Sequence, residues 1–282
     1  MTRAGFIGLG NIGRPMAARL VAAGFETHVY DLSSEALSGL ASLGAHPASS
    51  AEELAAASDV IGICVRSDDE VRTVVTGPAG VLDGAVPGAV VAIHSTVLPA
   101  TAVEMSEAAA ANGVGLVDAC VTGGAAGAEA GTLTYMVGGN DADIEKCRPV
   151  FESSASRIIC TGGVGTGAAV KICNNVITYL EFLAAREAFR LAEAAGLSVD
   201  TLEEVTRSNG NLTEQMQAFL GLHKMPAEQR QEAGMRSLLE GFAGLADKDL
   251  ASALELARGA GLRLPGTEAC RGLVRDIYGL DD

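Results

Sequence analysis

The chain of 282 residues has no tryptophan, few aromatic residues of any kind (4%) and no apolar run long enough to cross a bilayer. With so few aromatic rings, the chain has no obvious surface on which a bulky ligand could stack. This weakly favours a small ligand. Basic residues are also few: the chain has 20 Lys and Arg but 35 Asp and Glu, which gives a formal net charge of −15. We therefore expect neither a nucleic-acid surface nor an anionic membrane as partner, whereas a small anionic substrate in a locally positive pocket stays compatible with this charge.

The six cysteines form no C-x-x-C pair, and no histidine stands near them at the spacing of metal ligands. We expect buried thiols in a reducing compartment, with no disulfide and no bound metal. The sequence begins MTRAGFIGLG, a strand-like start that lacks the pattern of a signal peptide. This start predicts a cytoplasmic protein.

Short apolar runs alternate with helical patterns in the first part of the chain, which is typical of a mostly parallel sheet covered by helices. Two of these runs, Val60–Val65 and Val90–His94, are continuously apolar, as expected for strands buried on both faces. After the glycine-rich segment Gly162–Gly167, a long helical pattern begins and only helices and turns follow it. We predict an α/β domain over residues 1–162 and an all-α domain over residues 163–282, joined by the long helix.

A G-x-G-x-x-G motif follows the first predicted strand and opens the first predicted helix. The first glycine permits a tight turn, the second lets the backbone approach a pyrophosphate, and the third allows the helix to pack on the strand. The N-terminus of the helix adds free N–H groups and a partial positive charge. The N-terminal domain is therefore predicted to be a Rossmann domain that binds a dinucleotide through Gly8, Leu9, Gly10, Asn11, Ile12 and Gly13.

Asp31 ends the second predicted strand, where a carboxylate can accept hydrogen bonds from both ribose hydroxyls and repel a 2′-phosphate. No arginine stands in Asp31–Ser34 to bind such a phosphate. These residues favour NAD, with NADP as the alternative. Asp31 can also be an N-cap for the helix that starts near Ser33 or Ser34, and the two roles can coexist.

A polar stripe follows one face of the long predicted helix, because Lys171, Asn174, Asn175 and Thr178 stand at i, i+3, i+4 and i+7. Burying such a stripe is costly unless its members have partners. The spacing alone is compatible with a structural polar network or with a catalytic group. A lysine suits proton transfer, since the pKa of its ammonium shifts readily with its surroundings.

Several separated segments of the chain together resemble the β-hydroxyacid dehydrogenase family, which includes 3-hydroxyisobutyrate dehydrogenase and tartronate semialdehyde reductase. They are Gly5–Leu20, Asp118–Gly139, Gly165–Asn175 and Lys248–Leu250, and His94-Ser95-Thr96 with Pro99 matches the family's S-T-x-x-P loop. The segments occur in the family's order and span nearly the whole chain.

The resemblance implies hydride transfer between NAD and a short 3-hydroxy acid, in a homodimer or homotetramer. A semialdehyde reductase that uses NADPH and a non-catalytic dinucleotide-binding protein are the alternatives. In the family's pattern Lys171 is the general acid–base, while Thr122, Gly123, Gly124, Asn174 and Asn175 bind the substrate. The cofactor contacts implied beyond the glycine motif and Asp31 are Val65, Arg66, Thr96 and Lys248.

The chain departs from the family's pattern in several places. Thr122 replaces a serine and narrows the pocket by a methyl group, and Cys120, interpreted as a packing residue, replaces a proline. Arg66 stands where relatives often have proline; it can contact the cofactor or a second anionic group of the substrate, or be solvated. His94 is either a structural histidine or a proton relay. Residues 209–237 do not resemble the family closely and are expected to cover the substrate pocket, which leaves the exact substrate open.

Overall fold

The structure is a computed structural model that describes residues 2–281, apart from the side chains of residues 214, 215, 217 and 218. The predicted domain ends at residues 1 and 282 therefore lie outside the described residues. The chain divides into two compact units, Met1–Lys171 and Ile172–Asp282. The predicted boundary between residues 162 and 163 stays a prediction. In the described part of the chain, no helix is both long and apolar enough to cross a membrane.

The described residues of the first unit form an eight-stranded sheet. Its strands are β1 Arg3–Ile7, β2 Glu26–Tyr30, β3 His46–Pro47, β4 Val60–Ile63, β5 Val90–Ile93, β6 Gly115–Thr122, β7 Leu133–Gly138 and β8 Ala155–Gly162. Their order is β3-β2-β1-β4-β5-β6-β7-β8, and of the neighbouring pairs only β6 and β7 are antiparallel. The mostly parallel α/β sheet predicted from the sequence is confirmed.

Helices cover both faces of this sheet. They are α1 Gly13–Ala22, α2 Ser34–Ala41, α3 Ala51–Ala56, α4 Asp68–Thr76, α5 Val81–Gly84, α6 Pro99–Ala110, α7 Gly124–Ala130 and α8 Asp141–Phe151. The sequence patterns did not predict α5, α7, α8 or the two-residue strand β3. Each of the three helices has a local reason: α5 has four residues, α7 contains two glycines, and α8 has Pro149 inside it.

The core of the first unit consists of one apolar cluster on each face of the sheet. Along β5, Val90 and Ala92 belong to one cluster while Val91 and Ile93 belong to the other. Every residue of β4 and of β5 is buried. Helices on both faces explain why these two strands are continuously apolar instead of alternating.

In the described residues of the second unit, the secondary-structure elements are all helices, joined by turns. The long helix α9, Thr166–Ala194, begins in the first unit and continues into the second. The helices that follow are α10 Val199–Ser208, α11 Glu214–His223, α12 Ala227–Arg230, α13 Ala233–Gly259, α14 Pro265–Gly272 and α15 Val274–Ile277. Leu273 leaves helical geometry (φ −112°, ψ 9°) and separates α14 from α15.

Candidate active site

Strands β2, β1, β4, β5 and β6 are parallel neighbours, so their carboxyl ends lie along one edge of the sheet. The strand order reverses between β1 and β4, and ligands of open α/β sheets bind beside such a switch point. Most of the predicted cofactor residues follow these strand ends: the glycine motif after β1, Asp31 after β2, Val65 and Arg66 after β4, and Thr96 after β5. The remaining predicted cofactor residue, Lys248, lies in α13 of the second unit. The predicted substrate segment Thr122–Gly124 lies at the end of β6.

The glycine motif has the shape that a dinucleotide requires. Gly8 has φ +89°, and a Cβ added to it would lie 2.2 Å from the carbonyl oxygen of Cys64. A Cβ on Gly13 would lie 1.9 Å from the carbonyl oxygen of Gly8, whereas a Cβ on Gly10 would meet no atom within 4 Å. Gly8 and Gly13 are thus required by the packing of the loop itself. Gly10 instead leaves its backbone open, and this open surface at the start of α1 fits an approaching pyrophosphate.

Asp31 holds the glycine motif against the end of β2. Its Oδ2 accepts a hydrogen bond from the amide of Leu9 at 2.6 Å, and its Oδ1 accepts one from the amide of Ser33 at 2.7 Å. The alternative that Asp31 caps α2 is wrong, because Ser33 is the N-cap and its Oγ accepts from the amide of Ala36. An ionised carboxylate has room for about four hydrogen bonds, so these two leave capacity for ribose hydroxyls.

Two side chains to which the sequence analysis assigned no role join the predicted cofactor segments after β4 and β5. Oγ of the buried Ser95 accepts from the amide of Val65 at 2.8 Å. Asp68 accepts at Oδ1 from the amide of Leu98, two residues beyond Thr96, at 2.9 Å. These bonds bring the segments that contain Val65 and Thr96 together. Arg66 is exposed, and its amide donates to Glu70 at 2.9 Å.

The substrate segment at the end of β6 has an unusual backbone. Gly123 and Gly124 have φ values of +123° and +63°, which only glycine adopts without strain, and both are exposed. The chain enters α7 directly at Gly124, with Gly123 as the N-cap. The buried Cys120 donates from Sγ to the carbonyl of Ser95 at 3.3 Å, a packing contact.

His94 is enclosed by aromatic rings. It stacks on Phe6 at 5.6 Å between ring centroids and makes edge contacts with Tyr135 and Phe151. Nδ1 lies 2.8 Å from the carbonyl oxygen of Ala119, and burial lowers the pKa of His94 to about 4. These contacts favour a neutral histidine with a packing role over a proton relay.

Lys171 is the sixth residue of α9 and is half-buried. It belongs to the same compact unit as the glycine motif and as Thr122–Gly124. Its helix continues into the second unit, where the asparagines of the polar stripe follow.

In the second unit the buried Asp249 organises a polar network. Its Oδ2 accepts from Nδ2 of Asn175 at 2.7 Å and from the hydroxyl of Tyr179 at 3.2 Å, and Nζ of Lys248 lies 2.8 Å from its Oδ1. Burial, with the negative charge of Asp249, raises the pKa of Tyr179. Asn174 contacts the network through Oδ1 of Asn175 at the longer distance of 3.4 Å. Asp249 and Tyr179 are residues that the sequence analysis did not assign.

The signals for both were in the sequence. Asp249 is the middle residue of the family segment Lys248–Leu250, and Tyr179 follows Asn175 by one helical turn. Within residues 2–281, no three His, Cys, Asp or Glu side chains are grouped so that they could hold a metal ion. The six cysteines, all in the described part of the chain, are free thiols. The expectation that they are buried is wrong for Cys160 and Cys173, which are exposed, and for Cys64, which is half-buried.

Comparison with known proteins agrees with this architecture. Residues 3–162 match the family described as the NAD binding domain of 6-phosphogluconate dehydrogenase. Residues 165–279 match the family described as NAD-binding of NADP-dependent 3-hydroxyisobutyrate dehydrogenase. Both matches are to nicotinamide-dinucleotide-binding domains of dehydrogenases.

Two relatives and two solved structures illustrate the similarity. The chain is 36% identical to 2-(hydroxymethyl)glutarate dehydrogenase of Eubacterium barkeri, covering 93% of this chain and 85% of the relative. It is 35% identical to the NAD-dependent L-serine dehydrogenase of Pseudomonas aeruginosa, covering 94% and 88%. The structure of Mycobacterium tuberculosis 3-hydroxyisobutyrate dehydrogenase with L-serine superimposes with a TM-score of 0.81 at 33% identity, covering 98% and 93%. Psf3 in complex with NADP+ and 2-OPP gives 0.83 at 26% identity, covering 97% and 93%.

The chain therefore belongs to the 3-hydroxyisobutyrate dehydrogenase family of hydroxyacid dehydrogenases. It is an oxidoreductase with an NAD(P)-binding Rossmann domain.

Proposed function

We propose that this enzyme oxidises a short 3-hydroxy acid with NAD and that Lys171 is its general acid–base. One observation carries the proposal: Lys171, the glycine motif and the segment Thr122–Gly124 lie in one compact unit. Such a reaction requires a lysine that can donate or accept a proton, a glycine whose backbone is open to the cofactor, and an exposed pair of backbone amides for the substrate.

In this proposal the hydroxyl of Thr122 and the amides of Gly123 and Gly124 bind the substrate carboxylate. Asn175, held by Asp249, orients the substrate hydroxyl. Neutral Lys171 accepts the hydroxyl proton at Nζ while the carbon–hydrogen bond of the same carbon breaks and the carbonyl forms. Bound NAD supplies the hydride acceptor. In the reverse direction, the Lys171 ammonium protonates the alkoxide, so a semialdehyde is reduced.

The proposed substrate class is supported by the chemistry that the substrates of the named relatives share. 2-(Hydroxymethyl)glutarate, L-serine and 3-hydroxyisobutyrate each have a hydroxymethyl group on the carbon that bears a carboxylate. We propose a substrate of this type with a small remaining substituent, because the methyl group of Thr122 takes space that a serine would leave. Assaying 3-hydroxyisobutyrate, 3-hydroxypropionate, L-serine, glycerate and 2-(hydroxymethyl)glutarate in parallel by NADH absorbance tests this. Turnover restricted to the last compound would refute the small substituent.

NAD is the proposed cofactor because a carboxylate at the end of the second strand, here Asp31, favours ribose hydroxyls and repels a 2′-phosphate. The alternative, a semialdehyde reductase that uses NADPH, has support from Psf3, whose complex contains NADP+. The ratio of kcat/KM for NAD and NADP, with oxidation and reduction both measured, separates the two. A non-catalytic protein would bind the dinucleotide and turn over none of the panel.

Four further features stay predictions. They are the homodimeric or homotetrameric state, the cytoplasmic location, the domain boundary at residues 162 and 163, and the cover formed by residues 209–237.

A further inference from the structure

Asp118 connects the strand that ends at the substrate segment with the helix that contains Lys171. It lies in β6, and its side chain is fully buried. Its Oδ1 accepts from the amide of Gly165 and its Oδ2 from the amide of Ala168, both at 2.7 Å. These amides belong to the beginning of α9, where backbone N–H groups have no partner within the helix. Asp118 is therefore the long-range anchor of the N-terminus of α9.

The start of α9 packs closely against β6 and β7. A Cβ on Gly167 would lie 2.5 Å from the carbonyl oxygen of Met136 and 2.9 Å from Oδ2 of Asp118. A Cβ on Gly138, the residue that pairs with Asp118 in the sheet, would lie 2.6 Å from Oδ1 of Asp118. Glycines at both positions thus let the helix and the strand approach until the carboxylate reaches the amides.

The predicted substrate residue Thr122 and the predicted general acid–base Lys171 each lie a few residues along the chain from the bonds that Asp118 makes. Thr122 follows Asp118 by four residues on the same strand, about 13 Å at the rise of a β-strand. Lys171 follows Ala168 by three residues, about 4.5 Å along the helix axis. All of these residues lie in the first unit. A change at the anchor would shift or tilt the first turns of α9 and move Lys171 relative to Thr122.

We infer that Asp118 is a positioning residue of the reaction, which holds Lys171 at its working distance from Thr122–Gly124. The inference rests on the proposed function, because it assigns Asp118 a role through Lys171. Burial raises the pKa of Asp118, and the amides of Gly165 and Ala168 oppose that effect. An asparagine has one acceptor oxygen, so Asp118→Asn keeps the volume of the side chain and loses at least one of the two anchoring bonds.

The test compares Asp118→Asn with Asp59→Asn. Asp59 is a suitable control because it also anchors backbone, accepting from the amide of Arg3 at 2.9 Å, but it precedes β4 at the opposite edge of the sheet. Kinetics with the best substrate of the panel, NAD titration by fluorescence and thermal melting are measured for both. We expect Asp118→Asn to lower kcat by roughly 100-fold, the effect of about a 1 Å misplacement, with NAD affinity unchanged. Asp59→Asn is expected to melt earlier while keeping its kcat.

A double mutant shows whether the effect passes through the lysine. In a Lys171→Ala background, Asp118→Asn should cause no further loss of kcat. A multiplied loss, or a normal kcat in Asp118→Asn alone, overturns the inference. If Lys171→Ala itself turns over normally, the proposed function fails, and the two failures are thereby distinguished.

A second measurement covers the case in which Asp118→Asn does not fold. In the unaltered protein, the amides of Gly165 and Ala168 should exchange with deuterium as slowly as core amides of β6. Exchange at the rate of an exposed loop would overturn the anchor.

Discussion

The carboxylate of Asp249 lies 2.7 Å from Nδ2 of Asn175, and both residues are buried. Because the amide donates to Asp249, its orientation is fixed and its Oδ1 faces away from that carboxylate. Under the proposed function, Asp249 therefore determines which polar atom of Asn175 contacts the substrate.

Asp249→Asn should therefore raise KM for the hydroxy acid and lower kcat/KM, since Asn175 is no longer fixed in one orientation. Leaving a buried polar group imperfectly bonded also costs about 1–3 kcal/mol of unfolding free energy. Tyr179→Phe is the matched control, because it removes only the weaker bond, at 3.2 Å, to the same oxygen. Steady-state kinetics with urea unfolding measure both effects, and a normal KM in Asp249→Asn would refute this role.

The glycine motif allows a separation of folding from cofactor binding. The Cβ introduced by Gly10→Ala would meet no atom within 4 Å, so this variant should melt normally. It should bind NAD more weakly, because the methyl group occupies the open backbone surface at the start of α1. Gly13→Ala forces a Cβ to 1.9 Å from the carbonyl of Gly8 and should destabilise the fold by about 1–3 kcal/mol or more. Thermal melting without cofactor and NAD titration give the two results. Equal melting temperatures for the two variants would contradict the geometry.

Asp31→Asn should weaken NAD binding and reduce the preference for NAD over NADP, because the repulsive charge disappears. Ser33→Ala is the control, since it removes the N-cap of α2 at a cost of about 1 kcal/mol and leaves Asp31 in place. The ratio of kcat/KM for the two cofactors is the measurement. An unchanged ratio in Asp31→Asn would exclude Asp31 as the determinant.

The lowered pKa of His94 leads us to expect that the stability of the folded protein depends on pH. Its folded pKa of about 4 is below the unfolded value near 6.5, so in this window the unfolded chain binds a proton that the folded protein does not. Stability from this residue is complete above pH 6.5 and decreases as the pH falls towards 4, by at most about 3 kcal/mol. Urea unfolding at pH 7 and pH 5 should show a larger loss for the unaltered protein than for His94→Gln. Equal losses would show that His94 does not contribute.

The sequence predicted the elements whose signal is local. The G-x-G-x-x-G motif, the continuously apolar β4 and β5 and the unbroken pattern of α9 identified the fold class and its cofactor edge. The hydrogen bonds among the candidate site residues of each unit were not predictable, because each joins residues distant in the chain: Asp31 with Leu9, Ser95 with Val65, Asp118 with Gly165 and Ala168, and Asp249 with Asn175. Helices α7 and α8 were missed for a different reason, since tertiary packing outweighed the weak helix propensity of glycine and proline.

The central claim is that Lys171 transfers the proton, and kinetics of Lys171→Ala test it most directly. We expect kcat to fall by about 10²–10⁴-fold while the Kd for NAD is unchanged, and added methylamine to restore part of the rate. Near-normal turnover by Lys171→Ala would contradict it.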